Sequence, residues 1–407
     1  MTKAETLRTV PVEDRAWLLA ALGDTLRGGC PVLPLGPGVS ESDVRELQRT
    51  ALPEGTAVVV RTSGSSGVPK AVALSAAALT ASAAATHEAL GGPGQWLVTL
   101  PGHLISGLQM LVRSGLAGTD PRFYDGPFDP AALLAASERM SHERRYVSLV
   151  PVQLSRLLDL AEADAGAAEA LRDFAGVLVG GQATPLPMRQ RAHDLGVALR
   201  RSYGMTETAG GCVYDGVEIG DTRVRIREGE VQVSGACLAL GYVGDAELTA
   251  SRFINDAGAR WYRTGDAGSL LGGMLTVTGR LDRVIISGGV NVSLDEVERV
   301  VREQPGWSSA VALGVANPEW GERVGLVRET PGGTAAGLSV AGPAGASFDE
   351  VCRAVREALG PAAVPLWVTE TETLPRLAGG KPDVRAIERW ISDLRQSFHG
   401  ARPPGGP

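Results

Sequence analysis

Continuous apolar runs alternate along this chain with longer stretches of helical periodicity. Ala57-Val58-Val59-Val60, Trp96-Leu97-Val98-Thr99-Leu100 and residues 145–150, 176–179 and 198–202 read as strands, and residues 75–90, 152–162 and 185–195 as helices. A further helix opens in Gly102-His103-Leu104-Ile105-Ser106-Gly107-Leu108. Strands alternating with helices imply a largely parallel, helix-covered sheet. Before residue 57 the pattern predicts helices over residues 12–26 and 40–52, and turns.

The texture changes near Val224. Val224-Arg225-Ile226-Arg227 and Val231-Gln232-Val233-Ser234 flank Glu228-Gly229-Glu230, which predicts a β-hairpin in a small β unit over about residues 215–281. A second boundary follows at Gly279-Arg280-Leu281-Asp282-Arg283. Val284-Ile285-Ile286 then runs through Ser287-Gly288-Gly289 into a helix opened by the capping-box pattern Ser293-Leu294-Asp295-Glu296. A β run at 310–315, a helix at 348–358 and a strand at 366–368 complete the reading.

The expected fold is α/β. An N-terminal core over residues 1–281, with mainly parallel sheets covered by helices plus the small β unit, precedes a mobile α+β domain over 282–398; residues 399–407 form a disordered tail. At 407 residues the chain exceeds a usual single core, and 44% hydrophobic with 21% charged residues suits a globular protein. The net charge of −7 argues against nucleic-acid binding. No run of eighteen apolar residues occurs and Glu5 interrupts any leader pattern, so a cytoplasmic protein without membrane association is expected. Cys30, Cys212, Cys237 and Cys352 lack the spacing of a zinc site or disulfide framework.

Candidate chemistry centres on Arg61-Thr62-Ser63-Gly64-Ser65-Ser66-Gly67-Val68-Pro69-Lys70, directly after a predicted strand. Its backbone N–H groups and hydroxyls can converge on phosphate oxygens. A Walker A loop is disfavoured because Lys70 stands between Pro69 and Ala71, without the adjoining Gly and Ser/Thr. Gly180-Gly181-Gln182 and Tyr203-Gly204-Met205-Thr206-Glu207-Thr208 also follow predicted strands, where open α/β sheets bind ligands. Glu207 alone reads equally as a carboxylate at a helix start, and His103 as a packed histidine or a substrate-facing donor.

The motifs at Thr62 to Lys70, Tyr203-Gly204-Met205-Thr206-Glu207, Tyr262-Arg263-Thr264-Gly265-Asp266, Gly279 to Asn291, and Leu374-Pro375-Arg376 to Gly380-Lys381 resemble, in order and spacing, those of adenylate-forming acyl-CoA synthetases. Leu100-Pro101-Gly102-His103-Leu104-Ile105-Ser106-Gly107-Leu108-Gln109, Tyr124-Asp125-Gly126-Pro127-Phe128-Asp129 and Thr208-Ala209-Gly210-Gly211-Cys212-Val213-Tyr214-Asp215-Gly216 are similar to actinobacterial-type o-succinylbenzoate–CoA ligases of menaquinone biosynthesis.

The resemblance implies an acyl-adenylate made from ATP and a carboxylic acid, then thiolysis by coenzyme A. It implies that Thr62, Ser63, Gly64, Ser65, Ser66, Gly67 and Lys70 hold phosphates, that Thr206 meets the α-phosphate, and that Glu207 holds Mg²⁺. Gly180, Gly181 and Tyr203 would line the adenine slot, and Gly204 and Met205 would also meet ATP. Asp266 would take the ribose hydroxyls with Arg280, and Lys381 would be the catalytic cation of a mobile domain. Substrate would lie near His103, Ser106, Gly107, Gly181, Thr208 and Gly210, Asp282 would be the hinge, and Gly288-Gly289 the coenzyme A-side loop. Pro382 after Lys381, and Leu377 in place of Thr or Ser, depart from the family pattern. Pairing into a homodimer is also expected. Another acyl- or aryl-CoA ligase, a carrier-protein-charging ligase and a non-catalytic nucleotide-binding relative are the alternatives.

Overall fold

In the computed structural model, residues 7–62, 70–330, 345–377 and 380–400 are described. The chain forms two compact units, Met1–Val277 and Thr278–Pro407.

Two sheets of the first unit carry the strand ends that matter. One has the spatial order Arg8–Pro11, Val32–Leu35, Thr56–Thr62, Lys70–Ser75, Gly241–Tyr242; the first three run parallel and the last two pair antiparallel. The other runs Val217–Glu218, Gly210–Tyr214, Leu199–Met205, Gly176–Gly180, Arg145–Leu149, Gln95–Val98, Arg122–Phe123, and is parallel from Leu199–Met205 to its last strand. The α/β expectation is met.

The inner parallel strands are mostly apolar and buried because both faces are covered. Trp96, Val98, Tyr146 and Leu178 enter a core shared with the first sheet and with helices Arg15–Leu26, Ala76–Ala89 and Ile105–Ala117. Their neighbours Leu97, Val147, Val177 and Val179 face the opposite way, onto helices Pro130–Ser137, Pro151–Ala163, Ala165–Arg172 and Leu186–Asp194. Successive strand residues thus feed two different cores.

Three readings need correction. The segment before residue 57 contains strands Arg8–Pro11 and Val32–Leu35, not helices and turns alone. Residues 70–75 are a strand, so Thr56–Thr62 and Lys70–Ser75 form an antiparallel pair with Thr62 opposite Lys70. Gly289 does not lead directly into a helix: Val284–Ser287 and Val290–Ser293 pair antiparallel before helix Leu294–Arg302.

The predicted hairpin is present as Arg223–Arg227 against Glu230–Ser234. Glu228 (φ 54°) and Gly229 (φ 77°) supply the two left-handed residues of a tight, strand-matching turn. This sheet continues through Ala259–Leu271, which also pairs with Phe253–Asp256 and Met274–Arg280.

In the second unit the spatial order is Val290–Ser293, Val284–Ser287, Gly321–Glu329, Val311–Asn317, with Val368–Thr371 parallel to Gly321–Glu329. Helices Leu294–Arg302 and Phe348–Leu359 share one core with this sheet. Ile387 and Ile391 of helix Val384–Gly400 pack with Val311, Leu313 and Val327 in another.

Candidate active site

Several chain segments of the first unit contribute to the candidate site. Strands Thr56–Thr62 and Lys70–Ser75 bring Thr62 and Lys70 together at the base of the glycine-rich loop. Ser63, Gly64, Ser65, Ser66 and Gly67 lie outside the described residues. Gly180 ends a strand beside Ser202, and Gly181 adopts φ 86°.

Tyr203, Gly204 and Met205 end the adjacent strand rather than following it. Thr206, Glu207 and Thr208 form a single 3₁₀ turn. Ala209 then takes φ 49° and Gly210 φ 109° to reverse the chain into Gly210–Tyr214. Gly204 is required by packing: a Cβ there would stand 2.1 Å from the Gly210 carbonyl oxygen.

The turn is held from inside. The Thr208 hydroxyl accepts from Met205 N at 3.0 Å and lies 2.7 Å from the Gly210 carbonyl oxygen, so this group closes the turn. Gln109 of helix Ile105–Ala117 donates to the Ala209 carbonyl at 2.7 Å and to the Leu79 carbonyl at 3.2 Å. Ala239 N donates to the Glu207 carbonyl at 2.8 Å.

Two tyrosine–carboxylate pairs result. The Tyr203 hydroxyl donates to Asp266 Oδ2 at 2.7 Å, joining the residue expected at the base to the one expected at the ribose. Burial, with the Asp266 charge added, pushes the Tyr203 phenol far above its ordinary value and keeps it a donor. The Tyr242 hydroxyl donates to Glu207 Oε1 at 2.8 Å and lies 3.3 Å from the Tyr262 hydroxyl. Lys70 Nζ stands 5.7 Å from the centroid of the Tyr242 ring.

Glu207 fits the metal expectation. It is half-buried, makes no ion pair among the described residues, and has one oxygen fixed by Tyr242. Mg²⁺ takes one or two carboxylates together with phosphate oxygens rather than an all-protein cage. No group of three metal-ligating side chains occurs among the described residues.

The acid-binding candidates divide. His103 precedes helix Ile105–Ala117, its ring packed against Gly36, where a Cβ would approach within 2.5 Å. Burial lowers its pKa, partly offset by Glu13, and its Nδ1 has no hydrogen-bond partner among the described residues. Gly107 is needed for helix packing, since a Cβ would stand 2.2 Å from the Pro101 carbonyl oxygen. Ser106 is exposed on the same helix.

Sequence reading missed Arg113, further along that helix. It is 3% exposed, its guanidinium sits 4.8 Å over the Trp96 ring, and among the described residues it makes no ion pair and its Nε finds no acceptor. Around it Ser82 Oγ, His87 Nε2 and Gln109 Oε1 are also buried without partners. Burial, reinforced by the Arg113 charge, lowers the His87 pKa to about 4. A single charge within the apolar run Met110-Leu111-Val112-Arg113 was the available signal.

In the second unit Arg280 is paired with Asp282 through Nε–Oδ1 and Nη2–Oδ2 contacts, both 3.1 Å, and its N donates to Asp295 Oδ2 at 2.6 Å. The expected ribose partner and hinge residue thus hold each other. Gly288 (φ 59°) and Gly289 (φ 81°) form the two-residue turn of the hairpin. A Cβ at Gly288 would stand 2.6 Å from the Trp320 ring. Lys381 is exposed; its carbonyl accepts from Leu377 N at 2.8 Å, within a turn closed by Arg376 opposite Pro382.

A family model described as AMP-binding enzyme matches residues 36–243. The chain is 37% identical over 382 residues to a Mycobacterium tuberculosis protein named a probable 2-succinylbenzoate–CoA ligase, covering 92% of this chain and 95% of that one. A solved variant of Escherichia coli MenE with bound OSB-AMS is similar at 25% identity and TM-score 0.72, covering 95% of this chain and 87% of that one. The amide bond synthetase McbA from Marinactinospora thermotolerans is similar at 27% identity and TM-score 0.70, covering 95% and 80%. With half its length matched by the family model and nearly all of it by a relative at 37% identity, the chain belongs to the AMP-binding enzyme family.

Proposed function

We propose that this enzyme is an AMP-forming acid–thiol ligase that converts 2-succinylbenzoate to its coenzyme A thioester, a step of menaquinone biosynthesis. A substrate carboxylate oxygen attacks the α-phosphorus of ATP and the α–β anhydride breaks, releasing pyrophosphate. The coenzyme A thiolate then attacks the acyl carbon and AMP leaves.

The observation that carries the substrate assignment is the Arg113 guanidinium, buried without an acidic partner among the described residues. Leaving a buried charge uncompensated costs several kcal/mol, on the order of 3–5. A diacid whose second carboxylate reaches Arg113 offsets that cost only when bound.

Tyr203 and Asp266 orient the adenosine, Asp266 accepting from ribose hydroxyls while Tyr203 gives the base a flat face. Lys70 and Thr62 stand at the base of the loop that meets the departing phosphates. Glu207 would hold Mg²⁺, which when bound neutralises phosphate charge.

In this reading Lys381 supplies positive charge to the α-phosphate and carboxylate during adenylation. Rotation at Asp282 then exchanges it for the Gly288-Gly289 turn during thiolysis, and residues 282–398 act as the moving domain. Arg280 contributes its guanidinium to the nucleotide in this reading. Cytoplasmic residence follows from the use of ATP and coenzyme A, the net charge of −7 disfavours nucleic acid as a partner, and family resemblance supports a homodimer.

The test measures pyrophosphate release and thioester formation separately, with 2-succinylbenzoate, benzoate and a medium-chain fatty acid, in the wild type and Lys381→Ala. Thioester from 2-succinylbenzoate alone, with adenylation reduced at least a hundredfold in the variant, is expected. Turnover of another acid would keep the mechanism and overturn the substrate. No pyrophosphate release with any acid would overturn both.

A further inference from the structure

We infer that Tyr242 is a positioning residue for cation binding: its hydroxyl fixes the Glu207 carboxylate, leaving one oxygen directed to the metal. The inference rests on the reading of Glu207 as the metal ligand.

Glu207 belongs to a one-turn 3₁₀ segment, which by itself does little to restrain a long side chain. Its backbone is anchored by Ala239 N at 2.8 Å. The side chain is fixed from the other sheet by Tyr242, at 2.8 Å to Oε1. Tyr242 is itself immobilised. It is 5% exposed, its backbone N donates to Thr249 Oγ1 at 2.9 Å, and its strand pairs with Lys70–Ser75.

A second phenol completes the device. Tyr262 is 4% exposed and places its hydroxyl 3.3 Å from that of Tyr242. A neutral donor on Oε1 leaves the carboxylate its full negative charge, whereas an arginine partner would neutralise it. Partners that orient a metal ligand in this way typically change metal affinity or activity 10–100-fold when removed. Tyr242 also links the Glu207 turn to the base of the phosphate loop, because Tyr242 pairs with Val72 and Lys70 Nζ lies 5.7 Å from its ring.

The experiment titrates Mn²⁺ onto the full-length protein saturated with α,β-methylene ATP, following free Mn²⁺ by electron paramagnetic resonance. Wild type, Tyr242→Phe, Tyr262→Phe and Glu207→Gln are compared, with melting temperatures measured alongside. The expected result is a dissociation constant raised about 10-fold or more in Tyr242→Phe, at least as much in Glu207→Gln, and less in Tyr262→Phe. Adenylation by Tyr242→Phe should recover toward the wild-type rate at saturating Mg²⁺.

An unchanged Mn²⁺ affinity in Tyr242→Phe beside a weakened Glu207→Gln would overturn the positioning role and leave the metal assignment standing. Unchanged affinity in Glu207→Gln would overturn both. A rate loss in Tyr242→Phe that high Mg²⁺ does not repair, at unchanged affinity, would assign the hydroxyl to packing alone. Should Tyr242→Phe fail to fold, the Tyr262→Phe affinity decides, with no change counting against the relay.

Discussion

The first unit contains two polar clusters of opposite character. At the strand ends, Tyr203 bonds Asp266 and Tyr242 bonds Glu207, so each candidate ligand-binding carboxylate is already held by a phenol. Inside, between helices Ala76–Ala89 and Ile105–Ala117, Ser82, His87, Gln109 and Arg113 each retain a buried atom without a partner among the described residues. The first cluster is pre-organised and needs little rearrangement to bind. The second is polar at a stability cost, and in the proposed function an anion supplies its missing partner. In that reading the first region serves the nucleotide and the second the acid.

Breaking the organised cluster should weaken nucleotide binding strongly. Asp266→Asn keeps the size of the side chain while removing the charge, and should raise the KM for ATP by about 10–100-fold, corresponding to about 1.5–3 kcal/mol for a hydrogen bond to a charged group. Steady-state kinetics with varied ATP measures it. An equal loss at saturating ATP, with KM unchanged, would move Asp266 from nucleotide binding to the chemical step.

Gln109 joins the clusters, since its amide supports the left-handed Ala209 while its Oε1 belongs to the unsatisfied set. Gln109→Leu leaves the Ala209 carbonyl without its donor, whereas the Leu79 carbonyl keeps its bond within helix Ala76–Ala89, and a buried unsatisfied group costs about 1–3 kcal/mol. Chemical denaturation should therefore show a loss of roughly 1–3 kcal/mol. A loss below about 0.5 kcal/mol, the usual range of a neutral surface change, would mean that the turn is stable without this support.

A smaller effect comes from His87. Its pKa falls from 6.5 in the unfolded chain to about 4 in the fold, so its stabilising contribution is complete above pH 6.5 and is lost as pH falls from 6.5 through 4. The wild-type melting temperature should drop by roughly 5 °C more than that of His87→Phe over this window. Parallel pH profiles would show that His87 is solvated and outside the cluster.

The sequence exposed the organised region more fully than the interior one. Tyr203, Glu207 and Asp266 sit in compact motifs, and the inner parallel strands carry short apolar runs such as Trp96-Leu97-Val98 and Val177-Leu178-Val179. Tyr242 was invisible because its bond to Glu207 joins residues 35 positions apart across two sheets. Arg8–Pro11 and Val32–Leu35 are four residues long and contain proline, so a short β signal was read as turn. Lys70–Ser75 was obscured by the alanine-rich helix that follows it. Val290–Ser293 is equally short and ends on the residue that caps the next helix. Arg113 gave a local signal, but burial and the lack of an acidic partner are tertiary facts.

The most direct measurement is the ratio of kcat/KM for 2-succinylbenzoate to that for benzoate, in wild type and Arg113→Met, with the melting temperature of each protein free of substrate. The variant should lose about 100-fold or more of that ratio, as expected when one partner of a buried charge pair is removed. Free of substrate it should be as stable as the wild type or more so, because the uncompensated charge is gone. A ratio unchanged within threefold, or a destabilised variant that turns over both acids equally less well, would contradict the assignment of Arg113 to the second carboxylate.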